Sequence, residues 1–235
     1  PTHTTSSAAS DVYKRQFCLH ALSPDDLFCD VGANIGSYTI LASAAAGAKS
    51  VTFEPLPATY RKLMANLRVN GITERVEARN EGVGRQPGVL TFTDGLDCQN
   101  RVVSPEDSGC EIVEVDVVRL DDALDGRVPW LLKMDVEGFE PEVLAGAETT
   151  LADPRLNAIV MELNGSGSRY GFDEAASHAR VLEHGFSTYR YEPFERELLP
   201  LGGATDDGGT GGNTLYVRDV EAMRAKLRAA PRYSC

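Results

Sequence analysis

A chain of 235 residues, 42% hydrophobic and 25% charged, has room for one domain with a sizeable core and the composition of a folded rather than a disordered or fibrous protein. The formal charge of −12, from 23 basic and 35 acidic residues, disfavours a duty resting on broad contact with nucleic acid backbone or anionic lipid. No apolar run reaches membrane-spanning length. Five cysteines (Cys18, Cys29, Cys98, Cys110, Cys235), odd in number and without a CxxC, indicate neither a disulfide framework nor a zinc knuckle, and the expected setting is a reducing cytoplasm.

Pro1 to Gln16 is polar, rich in Ser and Thr, and lacks the apolar stretch of a secretory signal. Within it, Ser6 to Gln16 (SSAASDVYKRQ) resembles, residue for residue, the in-frame translation of a transposon adaptor used in sequencing libraries. Residues 1–16 are therefore expected to be an artefactual or disordered leader, with 17–235 forming a single domain whose natural gene begins upstream of Phe17.

From Asp26 onward, short apolar runs alternate with helical patterns, the mark of an α/β domain with a largely parallel sheet. Leu27 to Val31 reads as a buried strand, followed by the turn Gly32-Ala33-Asn34-Ile35-Gly36 and an alanine-rich helix, Ser37 to Ala46, that Gly47 ends. Val51 to Glu54 is a second strand. Pro57 starts a helix to Val69 with Tyr60, Leu63, Met64 and Leu67 at helical spacing, and Val76 to Asn80 is a third strand. Gly88 to Thr93 alternates like an antiparallel strand and pairs with Glu111 to Val118 across one long irregular stretch, Asp94 to Cys110. Next come a strand at Trp130 to Met134, a helix from Pro141 to Leu151, and a strand at Ala158 to Leu163. A helix at Asp173 to Glu183 and strands at Ser187 to Glu192 and Asn213 to Val217 complete a set of about seven sheet strands. Between the last two strands lies glycine-rich Gly202 to Gly212.

The first strand and its turn carry the chemistry. Gly32 and Gly36 let the strand-to-helix turn close tightly and let backbone approach a ligand, while Asp30 puts a carboxylate at the strand end. Glu54, ending the second strand, is placed to accept hydrogen bonds from both hydroxyls of an adenosine ribose. A nicotinamide dinucleotide calls for G-x-G-x-x-G at a helix N-terminus facing a pyrophosphate. Here the order is G-x-N-x-G with an acid two residues ahead, which suits a cofactor with a positive centre and no phosphate. S-adenosylmethionine, with its sulfonium, has that character.

Asp30-Val31-Gly32-Ala33-Asn34-Ile35-Gly36, Phe53-Glu54-Pro55, the run Lys133-Met134-Asp135-Val136-Glu137-Gly138-Phe139-Glu140 and Ile159-Val160-Met161-Glu162-Leu163 occur in one order at one spacing. Together they resemble the FkbM-type methyltransferases. The resemblance implies a Rossmann-like class I methyltransferase sandwich: a mostly parallel seven-stranded sheet with an antiparallel last strand and a β-hairpin insertion. It implies that Asp30, Gly32, Asn34 and Gly36 contact the methionine part of S-adenosylmethionine, that Glu54 holds the ribose, and that Asn80 lies near the adenine. It also implies O-methylation of a sugar, glycan or natural-product hydroxyl.

Asp135 and Glu137 follow the fourth strand, whose carboxyl end faces the cofactor crevice in such a fold. A hydroxyl nucleophile loses a proton as it attacks, so a carboxylate there serves as general base or holds a divalent cation, with Glu162 joining from the neighbouring strand. Glu140 reads as a cap of the following helix. The Asn/Asp-Pro-Pro-aromatic run with which amino-methylating enzymes grip a flipped base is absent after that strand. The expected partner is accordingly a small-molecule or glycan acceptor and not nucleic acid. The competing readings are an NAD-dependent oxidoreductase, disfavoured by the glycine spacing, and a catalytically inactive cofactor-binding protein.

Overall fold

Near-continuous apolar runs such as Leu27-Phe28-Cys29 and Ala158-Ile159-Val160-Met161 belong to strands covered on both faces, and the structure, a computed structural model, places them at the centre of its sheet. It describes residues 7–94, 100–104, 107, 111–205 and 212–231. Cys98, Cys110, Cys235, much of the 94–110 stretch and part of Gly202 to Gly212 lie outside the described residues.

In chain order the elements are α1 (Ser7–Ala21), β1 (Leu27–Val31) and α2 (Ser37–Ile40), which continues as a π turn at Leu41–Ala45. Then come β2 (Lys49–Phe53), α3 (Pro57–Val69), β3 (Val76–Arg79), β4 (Gly82–Val83), β5 (Gly88–Asp94), β6 (Glu111–Val118) and α4 (Leu120–Leu124). The second half holds β7 (Leu131–Met134), α5 (Glu140–Ala145), α6 (Glu148–Ala152), β8 (Ala158–Leu163), α7 (Glu174–Glu183), β9 (Ser187–Glu192), β10 (Glu197–Pro200), β11 (Gly212–Val217) and α8 (Val220–Ala229).

Among the described residues the main sheet has eight strands in the order β10-β9-β11-β8-β7-β1-β2-β3. The run from β3 to β8 is parallel, and β11 is antiparallel to both neighbours. The chain starts at β1, builds outward through β2 and β3, and then returns to the other side of β1 with β7. The boundary between β1 and β7 is the point at which such sheets open a ligand crevice. The insertion is the antiparallel pair β5 and β6, with β4 added parallel to β6.

Helices cover both faces. One core cluster packs α4, α5, α6 and α7 through Leu120, Val143, Leu151 and Val181 onto Cys29, Leu132 and Ile159. The other packs α1 and α8 through Phe17, Ala21, Met223 and Leu227 onto Phe28, Leu131 and Val160. Lys14, Phe17, Cys18 and Ala21, at i, i+3, i+4 and i+7, form the buried stripe of α1. The expected leader boundary at Gln16 therefore falls inside a helix, with Lys14 only 1% exposed on its leader side.

Besides α1, β4 and α4, which the sequence reading does not contain, three further features depart from it. An eighth strand, β10, pairs with β9 as a hairpin whose turn holds Arg196 at φ +57°. Only Leu198 of that strand is buried and Pro200 interrupts its pattern, which an edge position tolerates. The helix expected over Pro141 to Leu151 breaks at Gly146 and Ala147 into α5 and α6. Its second half is capped from a distance: Asp121 accepts hydrogen bonds from Thr149 N at 2.9 Å, Thr150 N at 2.9 Å and Thr150 Oγ1 at 2.7 Å. Helix α8, opened by Asp219 accepting from Ala222 N, was not anticipated.

Because its carboxylate satisfies backbone donors at the start of α6, Asp121→Ala is expected to lower stability by about 1–2 kcal/mol, the range for lost helix caps, as read by urea denaturation.

Candidate active site

The floor of the crevice is fixed by strand register. Asp30 on β1 is the direct partner of Thr52 on β2 and of Lys133 on β7, so the three side chains share one face at one level. Lys133 Nζ donates to the Gly32 carbonyl at 2.7 Å and lies 3.4 Å from Asp30 Oδ1 and 3.5 Å from Asp135 Oδ2. Thr39 Oγ1 donates to Asp30 Oδ2 at 2.7 Å. Burial works against the Lys133 ammonium, but Asp135 and Asp30 more than offset it and hold the group above the ordinary lysine range.

Above this floor, a cleft of about 720 Å³ opens at the carboxyl ends of β1, β2, β7 and β8. At β1, Asp135 N donates to Val31 O at 3.1 Å, drawing the backbone after β7 against Gly32. A Cβ on Gly32 would sit 1.9 Å from Asp135 O, and its φ is +76°, so only glycine fits. Asn34 lines the cleft, and its backbone N donates to Glu54 Oε2 at 2.9 Å. Leu56 N donates to Glu54 Oε1 at 3.0 Å. Glu54, 5% exposed, has its carboxyl pushed up to about 7 by burial, which outweighs these two backbone bonds.

Not every expected cofactor contact reaches the cleft. Gly32, Asn34 and Glu54 line it, whereas Asp30 lies beneath, 0% exposed and engaged by Thr39 and Lys133. Gly36 opens α2 behind the cleft and packs on Leu63 of α3. Asn80 is a brace: its Nδ2 donates to the Glu54 carbonyl at 2.9 Å and the Pro55 carbonyl at 2.7 Å.

At the other end Asp135, Glu137 and Glu162 converge. One carboxylate oxygen from each lies within 4.8 Å of the other two, a spacing that a divalent cation can bridge. Glu137 stands at φ +55° and Gly138 at +97°, a left-handed pair that turns the chain sharply. A Cβ on Gly138 would meet Ser166 C at 2.5 Å and Gly167 N at 2.6 Å, so this turn nests against the turn after β8. Burial, then the neighbouring Asp135 charge, pushes the Glu162 carboxyl well above the ordinary range. Glu137 is raised by the same two causes against Arg169 and Arg101. Glu140 closes the turn by accepting from Val136 N at 3.0 Å and Gly138 N at 3.4 Å.

Sequence reading did not single out Lys133, Tyr38 or Phe139 as site residues, although all three line the cleft. Lys133 sits 5.5 Å from the Tyr38 ring centroid, and Phe139 stacks edge-on with Tyr170 at 5.7 Å. The available signal was a lysine inside an otherwise apolar strand, since a buried charge implies a partner. Tyr170 Oη donates to Val102 O at 2.7 Å, tying the insertion to the turn after β8, and Arg101 lines the cleft while paired with Asp107.

A parallel sheet with a crevice at its switch point, an acid after β2 and carboxylates after β7 defines the class of Rossmann-like methyltransferases. The family model described as the methyltransferase FkbM domain matches residues 30–188, and the chain belongs to that family. Among curated relatives, Methyltransferase 1 of Beauveria bassiana is 32% identical over 167 residues, covering 60% of this chain and 66% of its own. The 31-O-demethyl-FK506 methyltransferase FkbM of Streptomyces tacrolimicus is 34% identical over 181 residues, covering 61% of this chain and 67% of its own. The chain thus spans about two thirds of the length of these relatives. A solved rRNA methylase from Streptococcus thermophilus shares the fold at a TM-score of 0.51 and 15% identity, covering 87% of this chain and 93% of its own. Among the described residues, no helix is long and apolar enough to cross a membrane.

Burial lifts the Glu140 carboxyl from 4.5 to about 7, so between these values the folded protein binds more protons than the unfolded chain and stability falls as pH rises. The stability advantage of wild type over Glu140→Gln is expected to shrink by an amount on the order of 1–3 kcal/mol from pH 5 to pH 8, as read from urea melts.

Proposed function

We propose that this methyltransferase acts on a hydroxyl oxygen of a sugar, glycan or natural product, taking the methyl group from S-adenosylmethionine. The observation that carries the reading is the polarity of the cleft: Glu54 at one end, and Asp135, Glu137 and Glu162 at the other. Each Glu54 oxygen already accepts one backbone bond, and a carboxylate has about four acceptor positions, which leaves capacity for two ribose hydroxyls. A cleft of about 720 Å³ accommodates a nucleoside cofactor with an acceptor group beside it. The Streptomyces tacrolimicus relative is by name a methyltransferase of 31-O-demethyl-FK506, which supports an oxygen acceptor.

When bound, S-adenosylmethionine supplies a methyl group already activated by its sulfonium. The residues of the chain then have three tasks. Gly32, Asn34 and Glu54 hold the cofactor at the β1 and β2 ends. Asp135, paired with Lys133, accepts the proton that leaves the acceptor hydroxyl as its oxygen takes the methyl. Glu137 orients that hydroxyl, and Glu162, held protonated, hydrogen bonds to Asp135 and keeps the two carboxyls from repelling. A divalent cation held by the three carboxylates is the second reading, favoured by oxygens that all lie within 4.8 Å of one another. Activity that persists in EDTA selects the general-base reading.

Asp135→Asn is expected to lower methyl transfer by about 10²–10⁴-fold, the usual worth of a general base, a loss far larger than its effect on cofactor affinity. Glu54→Ala does the reverse, weakening S-adenosylmethionine by about tenfold or more through lost charged hydrogen bonds. Calorimetry, and labelled methyl transfer to a panel of hydroxylated macrolides and glycosides, separate the two. With the Glu54 carboxyl at about 7, wild-type cofactor affinity should rise with pH through neutrality and level off above it, while Glu54→Gln should show no such step.

A further inference from the structure

Lys133 bridges the two halves of the crevice floor. It is 4% exposed, donates to the Gly32 carbonyl in the β1 turn, and stands between Asp30 at 3.4 Å and Asp135 at 3.5 Å. Its strand register with Asp30 fixes it there, and its Nζ also faces the Tyr38 ring at 5.5 Å. Arg15 of α1 and Arg101 of the insertion line the same cleft, but Lys133 is the cation joined to both floor carboxylates.

In methyl transfer the sulfonium loses its positive charge on the way to the transition state. Negative charge facing the sulfur therefore stabilises the bound cofactor more than the transition state, and such uniform or excess ground-state binding works against turnover. Two ionised carboxylates in a low-dielectric floor would do this strongly. With Lys133 between them the trio of Asp30, Lys133 and Asp135 carries one net negative charge instead of two.

We propose that Lys133 sets the charge selectivity of the cofactor cleft. By pairing with Asp30 and Asp135 at once, it limits how much more tightly the site holds the charged sulfonium cofactor than its uncharged thioether product. It is a positioning residue, acting through the two carboxylates rather than on the acceptor. The inference rests on the reading of the cleft as an S-adenosylmethionine site.

The test is calorimetric and independent of the acceptor: the ratio of the Kd for S-adenosylhomocysteine to that for S-adenosylmethionine, measured in EDTA with folding checked by circular dichroism. Lys133→Met leaves two uncompensated carboxylates and is expected to raise the ratio by about tenfold. Asp30→Asn combined with Lys133→Met restores one net charge and should bring the ratio back to within about threefold of wild type, which a purely steric role for Lys133 would not do. If Lys133→Met alone does not fold, the step from Asp30→Asn to the double variant carries the same change of charge and should raise the ratio by about tenfold. An unchanged ratio in whichever of these comparisons folds overturns the inference. Failure of the wild type to bind either ligand overturns the cofactor reading and this inference with it, whereas binding of both with no shift in ratio overturns this inference alone.

Discussion

The buried pairing of Asp30 with Lys133 across the β1 and β7 boundary is the constraint on which the site depends. Removing two opposite charges from water costs several kcal/mol per ion, and their attraction recovers this only when the remaining donors and acceptors are satisfied. Here Thr39 serves one Asp30 oxygen and Lys133 donates to the Gly32 carbonyl, while the other Asp30 oxygen has no hydrogen bond and is answered by the Lys133 charge 3.4 Å away. The pair thus joins the turn on the cofactor side to the strand that delivers Asp135. Such a pair is weak evidence for stability but strong evidence for register: a one-residue slip of β7 would move Lys133 to the opposite face and leave Asp30 buried without a cation.

The second constraint is steric. Asp135 O approaches Gly32 so closely that no side chain fits between β1 and the chain after β7, and Gly138 is pressed against Ser166 and Gly167 in the same way. Two backbone contacts, one at Asp135 itself and one at Gly138, set the height and direction of the acidic group. The turn that carries Asp135 and Glu137 is therefore placed by main chain. Glu140 completes the arrangement by taking the amides of Val136 and Gly138.

Much of this was legible in the sequence. The apolar runs gave β1, β2, β7 and β8 within a residue or two, and turn glycines located the crevice. Period and spacing could not show which acids face the cleft. Asp30 and Asn80 sit at strand ends as Glu54 does, but strand alternation and the brace to Glu54 and Pro55 turn them away. The β10 edge strand and the break between α5 and α6 also escaped, because each depends on contacts distant in sequence: pairing with β9, and the Asp121 cap. Lys133 was visible only as a charge in an apolar strand, a signal that states a need for partners without naming them.

The hydrogen bond from Tyr170 to the Val102 carbonyl marks the level at which main-chain packing gives way to side-chain packing. Below it, main-chain contacts at Gly32 and Gly138 forbid drift. Above it, the insertion meets the turn after β8 through that hydroxyl, while Phe139 from the turn after β7 packs with Tyr170 and Phe172 of the turn after β8. A substitution there meets side chains that can shift, whereas one at Gly32 or Gly138 meets main chain that cannot.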